Sequence, residues 1–242
     1  GQIEDYINLL NKIHWDNPKA IQPLIRLRDA FLKKDDWNNT LITQDKILPL
    51  IKDKKEEWIK ELKNKSRFLF ARGKQNLDHG KHDRAISDFK RAIKNWSKNP
   101  DPYLFLGDVY LKTGKRKVAI KNWLAGFEQT RNVGCLVRLQ KVYLRKENPL
   151  DLIDIYQREI DPNQPEKSYK FVLLLAMLHL EHNQAKKAKI ILEENETNNK
   201  LLGSLLLALA IKSGDNGSNL DNTNIDLIRN AVFQLSTAKE AT

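Results

Sequence analysis

Residues 73–92, GKQNLDHGKHDRAISDFKRA, and residues 107–126, GDVYLKTGKRKVAIKNWLAG, superpose at a single offset. Gly73 meets Gly107, Gly80 meets Gly114, Ala85 meets Ala119, Phe89 meets Trp123 and Ala92 meets Gly126, each pair 34 positions apart. A fixed period of that length, with small and aromatic residues at set phases, marks a stack of helical hairpins. Each unit in such a stack buries its apolar face only against its neighbours, so a length of 242 residues does not by itself count domains. The phases have physical reasons. Gly80 and Gly114 suit a helix C-terminus, where the chain takes positive φ. Spacings of four and three put Ala85, Phe89 and Ala92 on one helix face, and Ala119, Trp123 and Gly126 on another.

This pattern resembles the tetratricopeptide repeat, a helix–turn–helix unit. The resemblance implies an all-α, right-handed superhelical solenoid. Weaker copies flank the clear pair. Leu139 to Leu144 matches Leu106 to Leu111 at an offset of 33, with Tyr156 at the place of Trp123; Leu175-Ala176, Ala188 and Leu192 match at 69. Leu27 to Leu32 fits a first helix whose partner, 37–48, is divergent. The expected organisation is a single solenoid over 1–242. Its repeats span 17–52, 56–98, 100–131, 133–162 and 166–196, preceded by a partial repeat helix at 1–16. Terminal helices follow at 198–242, interrupted by a loop at 212–224 rich in turn formers. Pro49 should end or kink its helix.

Hydrophobic residues make up 40% of the chain and charged residues 30%, as in a soluble helical protein. No sustained alternation of apolar and polar residues signals strands. The longest apolar runs, 171–180 and 205–211, fall short of the ~18 residues a membrane span needs. Gly1 stands where an initiator methionine would, so the chain reads as part of a longer protein.

Catalytic constellations are absent from the pattern. Cys135 is the only cysteine, which excludes an intrachain disulfide and a CxxC metal knuckle; it reads as a buried packing residue. His79 and His82 straddle Gly80, and the pair His179/His182 lacks a carboxylate or cysteine at ligand spacing other than Glu181. His179 takes the phase of Tyr110 and Tyr143, a packing role. No phosphate-cradling glycine loop occurs. The expectation is a non-enzymatic chain with no cofactor and no metal.

In the tetratricopeptide family the first helix of each unit lines a concave groove. Three residues before the Gly73/Gly107 phase stand Ile25, Phe70, Leu104, Val137 and Leu173. Four residues after it stand Leu32, Leu77, Leu111, Leu144 and Leu180. Between them lie Asp29, Lys74, Asp108, Lys141 and Met177. Two readings fit these phases: ordinary packing between helices, or an apolar groove with charged punctuation that takes a peptide or helix. The lysine–asparagine pairs with which some family members clamp a C-terminal carboxylate are not matched, since Phe70 and Lys74 stand at the first such pair.

Net charge is +11. Lys112, Lys115, Arg116, Lys117 and Lys121 form a basic run without an acid. Lys52 to Lys74 is also lysine-rich, but Asp53, Glu56, Glu57 and Glu61 dilute it. Such a run is either a solvated face or the contact for an anionic membrane surface or polymer. Nucleic acid is disfavoured, because the aromatics sit at repeat-core phases rather than interleaved with the basic run.

LGDVYLKTGKRKVAIKNWLAGFEQT, the segment Pro149-Leu-Asp-Leu-Ile-Asp-Ile-Tyr156 and the long helix from Glu56 to Asp78 are similar to bacterial tetratricopeptide proteins related to lipopolysaccharide assembly protein B. That resemblance implies a membrane helix and a rubredoxin-like metal knuckle, neither of which this chain contains. It also implies an adaptor at the cytoplasmic face of the inner membrane. The expected location is therefore cytoplasmic, with any membrane tether in segments outside this chain, and the expected partner is a protein or peptide.

Overall fold

The structure, a computed structural model, describes residues 1–143, 150–182 and 184–195, the side chains of 150, 151, 166 and 167 excepted. Leu144, the apolar run 205–211, the loop 212–224 and the terminal helices expected over 198–242 lie outside the described residues. Among the described residues every regular element is an α-helix. Chain contacts divide the molecule into two compact units, Gly1–Thr130 and Arg131–Thr242.

The first unit holds α1 (Gln2–Asp16), α2 (Ile21–Lys33), α3 (Trp37–Leu50), α4 (Lys55–Asp78), α5 (His82–Asn95), α6 (Asp101–Lys112) and α7 (Arg116–Thr130). Each packs on the next, and α2–α3, α4–α5 and α6–α7 are joined by tight turns. The turns share one geometry. The amide of Lys81 donates to the Asn76 carbonyl at 2.8 Å, that of Lys115 to Tyr110 at 2.8 Å, and that of Asp36 to Phe31 at 3.0 Å. These six-to-one bonds close a helix C-terminus around a residue at positive φ. Gly80 (φ 69°) and Gly114 (φ 75°) fill that place in two hairpins, and Asp35 (φ 53°) fills it in the other. Asp36 then caps α3, its carboxylate accepting from the Asn39 amide at 3.1 Å. Pro49 stands one residue before the last of α3, so that helix ends where proline dictates.

The glycine–aromatic phase pairs meet in space. A Cβ added to Gly73 would lie 2.5 Å from Phe89 Cε1, and one added to Gly107 would enter the Trp123 indole. Glycine is required at both places because the ring of the second helix lies against the backbone of the first. Trp123 Nε1 also donates to the Leu104 carbonyl at 3.2 Å, so the buried indole leaves no unmet donor. Ala85, Ala92 and Ala119 are wholly buried beside these rings.

Where α2, α3 and α4 meet, the filling is partly polar. Arg28 donates to Glu61 at 2.7 Å and to the Gln44 side-chain oxygen at 3.0 Å. Gln44, fully buried, donates in turn to Glu61 at 2.9 Å. A buried cation is tolerable only with its charge met and its donors satisfied, and this cluster meets both conditions.

The second unit, as described, holds α8 (Val133–Tyr143), α9 (Leu150–Glu159), α10 (Pro165–Glu181) and α11 (Ala185–Glu194). After α10 the Gln184 amide donates to the His179 carbonyl at 2.8 Å, a six-to-one bond like those of the first unit. Tyr156, at the Trp123 phase, is fully buried and its hydroxyl lies 3.1 Å from Gln140 Oε1. Residues 171–180 of α10 are buried on every side. Helices apolar all round are core elements. No helix among the described residues is long and apolar enough to cross a membrane.

Candidate functional site

The fifteen groove positions read from sequence separate in the structure. Leu104, Val137, Leu173, Met177 and Leu180 are buried and act as packing. Ile25, Leu32, Phe70 and Leu77 are half-buried, and Leu111 is 40% exposed. Asp29, Lys74 and Lys141 are exposed and Asp108 is half-buried; Leu144 lies outside the described residues. An open apolar surface therefore exists on the first unit, across α4 and α6. Its floor includes Phe105, which sequence reasoning did not single out. Phe105 meets Phe70 edge-on at 5.1 Å between ring centres and Phe89 at 5.9 Å. Phe89 is fully buried, whereas Phe70 and Phe105 are half-buried, so the trio runs from core to surface. A signal existed: Phe105 follows Leu104 on the solvent side of the same helix turn.

The basic run splits around a turn. Lys112 ends α6, Lys115 lies in the turn, and Lys117 and Lys121 stand on the outer side of α7, all exposed. Arg116 is half-buried and faces elsewhere on α7. Lys115 and Lys90 approach the Tyr110 ring at 6.0 and 5.8 Å. Four of the five are thus exposed, spread over the end of α6, the turn and α7.

A better-aligned set lies on α4. Lys60, Lys63, Arg67 and Lys74 are all exposed. Two of the four acids that dilute this segment in sequence are taken up by other residues. Glu61 turns inward to Arg28, and Glu57 pairs with Lys54 at 3.2 Å. Lys63 Nζ stands 4.5 Å from the centre of the Trp96 ring, and Lys74 Nζ 5.7 Å from that of Phe105. Residues 1–130 carry 27 Lys and Arg against 17 Asp and Glu, a net +10; residues 131–242 carry 15 against 14, a net +1. The charge of the chain is thus concentrated in the first unit.

The histidines have structural places. His79 ends α4 and His82 opens α5, so they do not share a helix. His179 is buried with Nδ1 2.8 Å from Gln184 Oε1. Burial, which disfavours the charged ring, pushes His179 below the usual histidine range, and His182 likewise. Cys135 is buried. Among the described residues no three His, Cys, Asp or Glu side chains gather as a metal site would require.

No protein-family model matches the sequence, and no curated protein does. Among solved structures the chain is similar to YrrB, a tetratricopeptide protein described as having an unusual peptide-binding site. Identity is 15% and the TM-score 0.42, over 85% of this chain and 97% of that one. It is similar to MamA at 13% identity and a TM-score of 0.34, over 87% and 88% of the two chains. A third likeness is to a tetratricopeptide protein of Thermus thermophilus, at 16% identity and a TM-score of 0.26, over 85% and 89%. At these levels the likenesses add no weight to the hairpin geometry, on which the tetratricopeptide-like character of the fold rests.

Proposed function

We propose that this chain is a non-enzymatic interaction scaffold that holds a peptide or helix of a partner protein on the first helices of its hairpins. One observation carries the reading: the half-buried rings of Phe70 and Phe105 meet edge-on across two successive first helices, on which Leu77 and Leu111 are also partly open to solvent. An apolar strip of that kind, edged by charges, suits helix-in-groove or extended-peptide recognition. The test is peptide-display selection on the immobilised chain. Selected peptides should lose binding to a Phe105→Glu/Leu111→Glu variant of unchanged helicity. Equal binding to both proteins would overturn the reading. Leu104 is unsuitable for this test, since a charge at that buried position threatens the fold itself.

A second reading, contact with an anionic membrane surface, is favoured by the net +10 of the first unit. It predicts sedimentation with phosphatidylglycerol vesicles that weakens as salt rises. The more specific role, an adaptor in lipopolysaccharide assembly at the inner membrane, is supported by the sequence resemblance over 17–194. Depletion of the protein should then lower lipopolysaccharide content; unchanged content would leave a general scaffold.

A further inference from the structure

We propose that the cationic row of α4 is the docking site for a short acidic segment of a partner protein, laid along the helix with one apolar side chain on the Phe70–Phe105 ledge. This rests on the scaffold reading above and names the chemistry of the partner.

A helix rises about 1.5 Å and turns about 100° per residue, so Lys60, Lys63, Arg67 and Lys74 fall within a sector of about 60° and spread over about 21 Å. Two other cations of this helix are matched to acids. Lys65 pairs with Asp45 at 2.7 Å and Arg72 with Asp88 at 2.6 Å. None of the four row cations pairs with an acid among the described residues. Glu56 and Asp78 share their side of the helix and stand at either end, which bounds the row. Lys63 and Lys74 are steadied over the Trp96 and Phe105 rings. Side chains already held in place lose less freedom when a partner arrives.

Charge complementarity identifies the occupant as anionic, and the surroundings favour a narrow one. α4 lies between α2, whose Arg28 reaches Glu61, and α6, whose Phe105 meets Phe70. Those flanking helices expose Asp29 and Asp101. An anionic lipid plane would face these acids as well as the row, whereas a single chain of carboxylates need face only the row. A nucleic-acid strand would need open ring faces for stacking. Here Trp96 and Phe105 are half-buried and have lysines over their rings. At about 3.3 Å per residue, roughly six extended residues match the length of the row.

The experiment measures fluorescence anisotropy of the full chain with a labelled Glu-rich decapeptide carrying one central Phe, and with its Gln-for-Glu counterpart. Lys60→Gln/Lys63→Gln/Arg67→Gln should weaken binding of the acidic peptide by roughly tenfold or more, because three charge-assisted contacts are lost. Arg84→Gln/Lys117→Gln/Lys121→Gln removes equal charge from α5 and α7 and should change binding less than about twofold, since distant charges are screened. Equal loss in the two variants, or equal binding of the Gln peptide, would overturn the proposal. So would tighter binding of phosphatidylglycerol vesicles or of labelled oligo-dT that depends on the same three residues. If Phe105→Glu/Leu111→Glu abolishes binding of display-selected peptides while the α4 variant leaves the acidic peptide unaffected, the scaffold reading stands and this one falls. If loss is confined to the α4 variant, the row binds acidic segments by charge alone, and both the apolar anchor proposed here and the ledge as the scaffold's working surface fall.

Discussion

The two units solve the same packing problem with different materials. In the first, Gly73 and Gly107 admit Phe89 and Trp123, and polar residues fill the space where α2, α3 and α4 meet. In the second, α10 is buried over ten successive residues, 171–180, and Tyr156 takes the aromatic place. The first unit carries a net +10 and the second a net +1. A hairpin repeat fixes only a few small and aromatic positions per unit. The remaining positions are open to other uses, and the first unit has filled its exposed ones with cations and half-buried rings. The polar cluster around Arg28 has a counterpart in the second unit, where Gln140 donates to Glu181 at 2.8 Å without an arginine.

That difference is broken most severely at Glu61. Glu61→Ala leaves buried Arg28 with only the solvent-exposed Asp29, at 3.3 Å, as its anion and should cost about 2–3 kcal/mol in urea unfolding. Gln140→Leu in the second unit removes the bonds to Glu181 and from the Tyr156 hydroxyl without stranding a cation and should cost about 1–2 kcal/mol. The pair Arg28→Met/Glu61→Leu should recover much of the loss, since an apolar replacement of a buried ion pair is often neutral. A single Glu61→Ala change with no effect on the unfolding midpoint would mean that the cluster does not hold the three helices together.

Next in size is Gly107→Ala. The added methyl meets the Trp123 indole, which is fixed by its bond to Leu104. Alanine gains about 1 kcal/mol in helix propensity, but overpacking costs about 1–3 kcal/mol, so the net expectation is a loss of up to about 2 kcal/mol. Indole fluorescence should shift with it. A rise in thermal stability would show that the indole moves aside freely.

The hairpin turns give a smaller, two-signed effect. Gly114→Ala places a Cβ at φ 75° and should cost about 1 kcal/mol. Asp35→Gly relieves the same conformation at φ 53° and should stabilise by a few tenths of a kcal/mol. Calorimetry on both variants checks the pair; changes of like sign would disprove the shared turn geometry.

These positions also show what could be read from sequence. Gly73, Gly107, Gly80 and Gly114 were legible because glycine repeated at a fixed period where backbone or ring demanded it. Asp35 was not, because an acidic side chain at positive φ leaves no compositional mark. The α4 row was obscured for a related reason. Sequence places Glu57 and Glu61 among the lysines, while the fold turns Glu61 inward and ties Glu57 to Lys54. Groove phases identified which residues face one side of a helix but not how deeply each lies, so Leu173, Met177 and Leu180 were grouped with Leu111 although they are buried. Depth depends on which neighbour covers a helix, and a repeat pattern does not encode that.

The smallest effect concerns the second unit and follows pH. Burial lowers the pKa of His179, assisted by Lys187 and His182 and opposed by the bond to Gln184; burial alone lowers that of His182. A histidine held below its unfolded value is neutral in the fold and takes a proton more readily when unfolded. Its contribution to stability is therefore complete above the unfolded pKa of about 6.5, and declines as pH falls from there toward the folded value. Acidification from neutral pH to about pH 5 should thus weaken the second unit through these two rings. Hydrogen exchange of α10 and α11 resolves it: their protection should fall with pH in the wild type, and His179→Gln/His182→Gln should flatten that dependence. Retention of the full pH dependence in the double variant would place its origin in other groups and leave packing and charge as what sets the second unit apart from the first.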